Sequence, residues 1–547
     1  MKKVLLIPLI IIVLVLPTLL PLFNERFFYT QDYIFIARLQ QMSTALSSGQ
    51  FPVRWAPDLR YGEPLFNFYA PLPYYIGSAI HLLGFNFIWV AKILFILSSL
   101  LSAATMYLLA NKLFGRKAGL LAATLYTYAP YRAVDMYVRG SLSETWAFVF
   151  FPLIFYASIL LSQKETLKNI SLVALSLAGL FLTHNVTTLM FLPFLGLWWI
   201  YLILRERKLK IVLYLSLASI LGFGIAAFFL LPAFFENGFI QTKYLTVGYF
   251  NFRAHFVAYK QFLSLFWGYG SSVWGPTDGL SFQIGLANLT VLAAAAILAV
   301  LHRTEKKLLG LFSLLGISFV LSIFLQHNKS AFIWEAIPEM AFIQFPWRFL
   351  GISVFIIALT GGAVAVYLKK RLLPFYFILI IAGTISTLMY FKPKEYSDNS
   401  FFDKFLQIEM MHRGVDLTKD YLPIWVQNTD GERFDEPRAN EGEILVSSLK
   451  RNSTSLSFSA DVLSKSLIEV PISYFPGWQV KAGNQDVSIL PPSNTGLIRF
   501  KLPEGAYKVR VELVDTPIRT VGNIISVASI LLVFFMLLKF FPKKKAL

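Results

Sequence analysis

Apolar runs of about 20 residues recur along this chain, and short clusters of Lys and Arg separate every second pair of them. A run of that length, coiled as a helix, matches the hydrocarbon thickness of a bilayer. Inside lipid every backbone N–H and C=O must be satisfied within its own segment, so the chain has to be a bundle of membrane-crossing helices. The runs fall at about 4–22, 86–110, 118–131, 146–163, 169–184, 187–204, 211–235, 283–302, 308–326, 348–368, 372–391 and 520–540, roughly 12 spans. Composition agrees: only 15% of the 547 residues are charged, against roughly a quarter in soluble proteins. The first run is long for a signal peptide and lacks a small-x-small cleavage site, so it is expected to remain as the first helix.

The net charge of +18 raises the question of nucleic acid, and its location answers it. Residues 392–518 carry −3, which leaves +21 for the rest. That excess sits mostly in seven hinges: Lys2–Lys3, Asn111–Lys117, Lys164–Lys168, Arg205–Lys210, Arg303–Lys307, Lys369–Arg371 and Lys539–Lys545. Basic residues in alternate loops are a topology signal. They predict cytoplasmic N- and C-termini, and they argue against a nucleic-acid partner. The chain has no cysteine, which removes thiol nucleophiles, disulfides and Cys-ligated metals. Six histidines show no metal-ligand spacing, and no Walker A, dinucleotide or nucleophile-elbow motif is present.

Three regions follow from these patterns. Residues 1–391 form the transmembrane module, with a first outer loop at 23–71. Residues 392–518 read as an extracytoplasmic β-rich domain, because short alternating strands such as Tyr507, Val509, Val511 and Leu513 lie between turn signals such as Pro476-Gly477. Residues 519–547 form the last helix and a basic tail.

Ionisable residues at the outer ends of the helices are the candidates for chemistry, since charge there is expensive to bury. Asp32, packed among Phe28, Tyr29, Tyr33 and Phe35, suits a general base, and equally suits an N-cap for the helical pattern that follows. The hinge from Tyr131 to Glu144 holds Arg132, Asp135, Arg139 and Glu144, a set able to bind phosphate, sugar hydroxyls or a metal, or to pair internally. Arg348 opens a helix and could meet an anion there or snorkel to headgroups; Lys92 has the same ambiguity. His184-Asn185 ends a span. The ring-rich loop from Glu236 to Leu280, with Arg253, His255 and Lys260, reads as an aromatic belt or a sugar-stacking surface.

The stretch GQFPVRWAPDLRYGEPLFNFYAPLPYYIG (49–77) resembles the membrane family labelled 6-pyruvoyl-tetrahydropterin synthase-related and its YfhO-like relatives. TQDYIFIARLQQM, YVRGSLSETWAF, FLTHNVTTL and QFPWRFLG support the likeness, and SYFPGWQVKAG and NTGLIRFKLPEGAYKVRVELVDTPIRTVGNIIS extend it to the C-terminal part. These proteins are in turn similar to the GT-C glycosyltransferases. That resemblance implies a GT-C-like bundle using a polyprenyl-phosphate sugar donor and a glycan, lipid or protein acceptor. It implies Asp32 as base, Glu144 as a further acid that positions the acceptor or holds a divalent cation, and Arg348, with Arg139, at the donor phosphate. His184, Asn185 and Lys92 join the expected donor-binding set. GT-C enzymes often carry an acidic pair in the first loop, whereas here Asp32 is followed by Tyr33. A flippase of lipid-linked glycans and a non-catalytic glycolipid-binding scaffold are the competing expectations, and both would tolerate Asn at position 32.

Overall fold

A computed structural model describes residues 2–301, 306–368, 370–406, 419, 421–427 and 433–539. Of the basic hinge positions, Arg303, Lys369, Lys543, Lys544 and Lys545 lie outside the described residues. Each expected apolar run contains a helix. In chain order the principal helices are α1 (Lys2–Leu19), α2 (Phe35–Ser47), α3 (Leu72–His81), α4 (Phe87–Phe114), α5 (Arg116–Thr127), α6 (Leu142–Gln163) and α7 (Leu167–Phe181). They continue with α8 (Asn185–Glu206), α9 (Lys210–Phe235), α10 (Leu286–Leu301), α11 (Lys306–Gln326), α12 (Leu350–Tyr367), α13 (Leu373–Leu388) and α14 (Pro517–Leu538). Among the described residues eight helices are long and apolar enough to cross a membrane. Three shorter apolar helices, α7, α10 and α13, and the twelve-residue α5 complete the expected set.

Local chemistry sets the helix boundaries. The Asn86 side chain accepts from the Trp89 N–H and starts α4, a favoured N-cap. Thr166 does the same for α7 through Asn169. The helices alternate in direction, so short basic hinges gather at one end of the bundle and the long connections at the other. α2 and α3, in the first long connection, are amphipathic and pack on one another and on α4, as a segment too polar to span should.

The long-connection end carries the expected β-domain. Strands β1 (Arg438–Glu441), β4 (Ser466–Ser473) and β7 (Leu497–Leu502) form one antiparallel sheet in the order β1-β4-β7. Strands β2 (Ile444–Asn452), β3 (Ser455–Val462), β5 (Trp478–Ala482), β6 (Gln485–Val487) and β8 (Gly505–Leu513) form the other, ordered β2-β3-β8-β5-β6. Inward residues of both sheets, such as Phe458, Val511, Ile468 and Phe500, share one core, giving a two-layer sandwich. Residues 392–406 lie elsewhere. Tyr396 bridges Phe28, Ser397 N–H donates to the Phe27 carbonyl, and Phe402 packs edge-on against Phe27.

The first long connection is part of the sandwich core. Trp55 meets Trp478 at 5.3 Å between ring centroids, and Phe68 meets Phe475 at 6.2 Å. A buried polar network locks this seam. Arg519 at the start of α14 forms two hydrogen bonds to Glu236 Oε2, at 2.9 and 3.0 Å, and both side chains are almost fully buried. Asn67 donates to the same oxygen and Thr516 to Oε1. Arg54 reaches Asp515, Asn67, Asn523 and the Phe228 carbonyl. Three chain segments far apart in sequence thus converge on two guanidinium groups. Removing one partner of a buried pair strands the other, at a cost of about 3–5 kcal/mol. Arg519→Met is expected to destabilise the purified protein by that amount, read as a lowered melting temperature with increased protease cleavage between α14 and the sandwich.

Candidate active site

The segment between α5 and α6 departs from regular helix. Val134–Arg139 forms a π-helical turn that ends at Gly140, whose φ is +68°. π-turns are uncommon and concentrate at functional places. The extra residue per turn aims Asp135 and Arg139 toward the start of α6. Gly140 is required twice: its backbone is left-handed, and a Cβ there would lie 2.3 Å from Thr30 Oγ1. That approach docks the first long connection onto the turn. Gln31 N–H donates to the Val138 carbonyl at 3.0 Å, and Asp32 N–H donates to the Arg139 carbonyl at 2.8 Å.

The arrangement brings together most of the residues expected from sequence. Arg139 Nη1 donates to Glu144 Oε2 at 2.8 Å and to the Tyr131 hydroxyl at 3.2 Å, and it also contacts Asp135. Tyr131 donates to Glu144 Oε1 at 2.7 Å. Arg348 Nε lies 3.8 Å from Glu144 Oε2, while its Nη1 donates to the Ile343 carbonyl. His184 belongs to the electrostatic surroundings of Glu144, and its Nδ1 is 2.5 Å from Thr187 Oγ1. Desolvation, followed by the Glu144 charge, pushes the Asp135 carboxyl well above the usual carboxylate range, against the pull of Arg139 and Arg132. Desolvation works against the Arg139 charge, yet Glu144, Tyr131 and Asp135 hold it above the ordinary arginine value.

Charge counting gives the cluster its chemistry. Arg132, Arg139 and Arg348 stand against Asp135 and Glu144, so even with both acids ionised the cluster is cationic. Arg132 Nη1 and Arg348 Nε are buried without a hydrogen-bond partner among the described residues, and a buried unmet donor is costly. The cluster therefore fits an anion. Aromatic rings wall it: Arg139 lies 4.7 Å from the Trp347 ring, Arg348 lies 5.0 Å from Phe345, and Tyr249 and His255 of the 236–285 loop pack on Phe345. Gln31 donates to the Gly270 carbonyl and ties the same loop to the Asp32 turn.

Asp32 caps no helix. The N-cap of α2 is Ile34, with no side-chain cap bond. The Asp32 side chain is partly buried and makes no hydrogen bond among the described residues. Its charged neighbour is Arg38, a nearly buried arginine stacked 4.1 Å from the Tyr69 ring. Sequence reasoning passed over Arg38; the signal was a cation within the apolar stripe of Phe35, Leu39 and Met42. Glu144, expected to hold an acceptor or cation, has both oxygens bonded by Tyr131 and Arg139. Among the described residues no three His, Asp or Glu side chains converge.

Two expected donor-binding residues contact other parts of the molecule. Lys92 is fully buried, and its ammonium donates to the carbonyls of Asn24 and Glu25, at 2.6 and 3.3 Å, where α1 gives way to the first long connection. Asn185 donates to the Phe68 carbonyl and fastens α8 to the same connection. Gly140→Ala is expected to destabilise the protein by about 1–2 kcal/mol for the left-handed backbone alone. Its signature is faster protease cleavage in residues 23–50 than elsewhere.

A Lactococcus lactis subsp. cremoris (strain MG1363) uncharacterized protein is 30% identical over 227 residues, covering 39% of this chain and 36% of that one. The arabinofuranosyltransferase AftD from Mycobacteria aligns at TM-score 0.48 and 14% identity, over 74% of this chain and 29% of that chain. The Archaeoglobus fulgidus oligosaccharyltransferase aligns at TM-score 0.45 and 13% identity, over 72% and 57%. The chain spans less than two thirds of each of these relatives. Residues 66–393, well over half the sequence, match the model of the 6-pyruvoyl-tetrahydropterin synthase-related domain, a membrane protein. The chain belongs to that family of membrane proteins.

Proposed function

We propose that the protein is an integral-membrane glycosyltransferase that moves a sugar from a polyprenyl-phosphate donor to an acceptor hydroxyl. The observation that carries the reading is the backbone bond from Asp32 to Arg139. It ties the turn that carries Asp32, whose carboxylate makes no hydrogen bond among the described residues, to the residue at the centre of a cationic cluster with unmet donors. A transferase needs both together, a base for the acceptor and a cation for the departing phosphate.

In this mechanism the acceptor hydroxyl gives its proton to Asp32 as its oxygen attacks the anomeric carbon. The bond from that carbon to the phosphate oxygen breaks, and the electron pair leaves with polyprenyl phosphate. Arg348, with Arg139 beside it, stabilises the leaving charge. In-line attack inverts the anomeric centre. Glu144 acts by holding Arg139 and facing Arg348. The rings of Phe345, Trp347 and Tyr249 exclude water, which strengthens the electrostatics. His184 lines the cluster, and Lys92 and Asn185 hold the first long connection against α4 and α8. The sandwich, bonded to that connection, caps the site and orients a glycan, lipid or protein acceptor.

The orientation belongs to the same proposal. The basic hinges sit at the end opposite Asp32, so the positive-inside rule puts both termini in the cytoplasm and the site on the outer face of a bacterial-type plasma membrane. A flippase of lipid-linked glycans would present the same cations without needing the free carboxylate, and a glycolipid-binding scaffold would need neither.

The test uses protein in lipid nanodiscs with a panel of radiolabelled polyprenyl-phosphate sugars and acceptor sugars. Release of polyprenyl phosphate by the native chain is expected. Arg348→Gln is expected to lower kcat/KM by about 10- to 100-fold, the value of a charge-assisted contact. Absence of release with every donor overturns the reading.

A further inference from the structure

At the opposite end from Asp32 the bundle has a gap. α13 is drawn toward α10 and α12: Gly383 lies so close to Ala287 that a Cβ would sit 2.5 Å from its backbone nitrogen, and the Tyr376 hydroxyl donates to the Gly361 carbonyl at 3.2 Å. α13 consequently stands off α5, and the facing sides of the two helices enclose an open groove of about 410 Å³. Leu120 and Leu121 of α5 and Phe377, Ile380, Ile381 and Ile385 of α13 make its walls. They repeat at helical spacing, and no protein side chain fills the space between them.

The groove has a charged mouth. Lys117, in the first turn of α5, lines it and is exposed, with no ion pair among the described residues. Lys112 and Arg116 flank Lys117 in the same hinge, and Lys370 and Arg371 precede α13 across the gap. An apolar slot that opens beneath an unpaired ammonium at the membrane surface matches one kind of molecule. Its tail is hydrocarbon and its head carries a negative phosphate, and charge complementarity separates it from a zwitterionic lipid.

We infer that the groove between α5 and α13 is a binding site for an anionic phospholipid of the leaflet facing the basic hinges. One acyl chain lies along Leu121, Ile380 and Ile381, and the headgroup phosphate meets Lys117. The site does not depend on the transferase reading. A phosphate at Lys117 lies at the opposite end of the bundle from Asp32, so this lipid is not a donor engaged in the reaction proposed above. Its occupant fills the space between α5 and α13, the helix that packs on α10 and α12.

The experiment is native mass spectrometry of the full chain released from nanodiscs of equimolar phosphatidylglycerol and phosphatidylcholine. The native protein is expected to retain phosphatidylglycerol about fivefold over phosphatidylcholine, the selectivity of one lysine near the surface. Lys117→Gln is expected to abolish the preference with folding intact. Leu121→Trp, which fills the slot, is expected to reduce retention of both lipids. Equal retention by the native chain, or an unchanged preference in Lys117→Gln, overturns the inference. So does displacement of the bound phospholipid by added polyprenyl phosphate, which would give the groove to the donor tail.

Discussion

A single guanidinium, that of Arg139, organises the β-domain end of the membrane bundle. Its side chain joins Glu144, Tyr131 and Asp135, and its carbonyl receives the Asp32 N–H. Burying a charge at a membrane surface is tolerable only when partners replace water. Here the partners come from both sides of the π-turn and from the start of α6. Because the carbonyl of the same residue binds the first long connection, the position of Asp32 and that of the cationic cluster cannot vary independently.

The second constraint is the clamp around Glu236, Arg519 and Arg54. It fastens the first long connection, the end of α9, the sandwich and α14 into one body. The segment that carries Asp32 is therefore held from two sides, by the π-turn through Gly140 and by the sandwich through Trp55 and Phe68. The β-domain reads as a structural continuation of the loop that carries Asp32. This explains how a connection of more than sixty residues, lying outside the bundle and rich in Pro and Gly, keeps a defined path.

Much of this was legible in the sequence, for physical reasons. Helix spans follow from apolar length, and β8 follows from the period-two pattern of AYKVRVELV. The value of Arg139, Glu144 and Arg348 follows from the cost of charge at helix ends. Pairing over long distances was not legible: Glu236 and Arg519 are 283 residues apart, and each alone looks like an ordinary interfacial charge. Lys92 resembles an anion ligand in sequence, yet the carbonyls of Asn24 and Glu25, where α1 gives way to the first long connection, take its ammonium. Residues 392–406 show the change in composition that ends the bundle, but their packing on Phe27 and Phe28 depends on tertiary contacts alone. For Asp32, base and cap are indistinguishable in sequence. The cap of α2 at Ile34 removes the cap reading.

The claim on which the account turns is that Asp32 takes the proton of the acceptor. It is tested most directly by comparing the native chain with Asp32→Asn in the same nanodiscs, following donor binding and sugar transfer separately. The account predicts that the variant binds polyprenyl-phosphate sugar as the native chain does but loses transfer by about 100-fold or more, the contribution of a positioned general base. Transfer by Asp32→Asn at the native rate would contradict it.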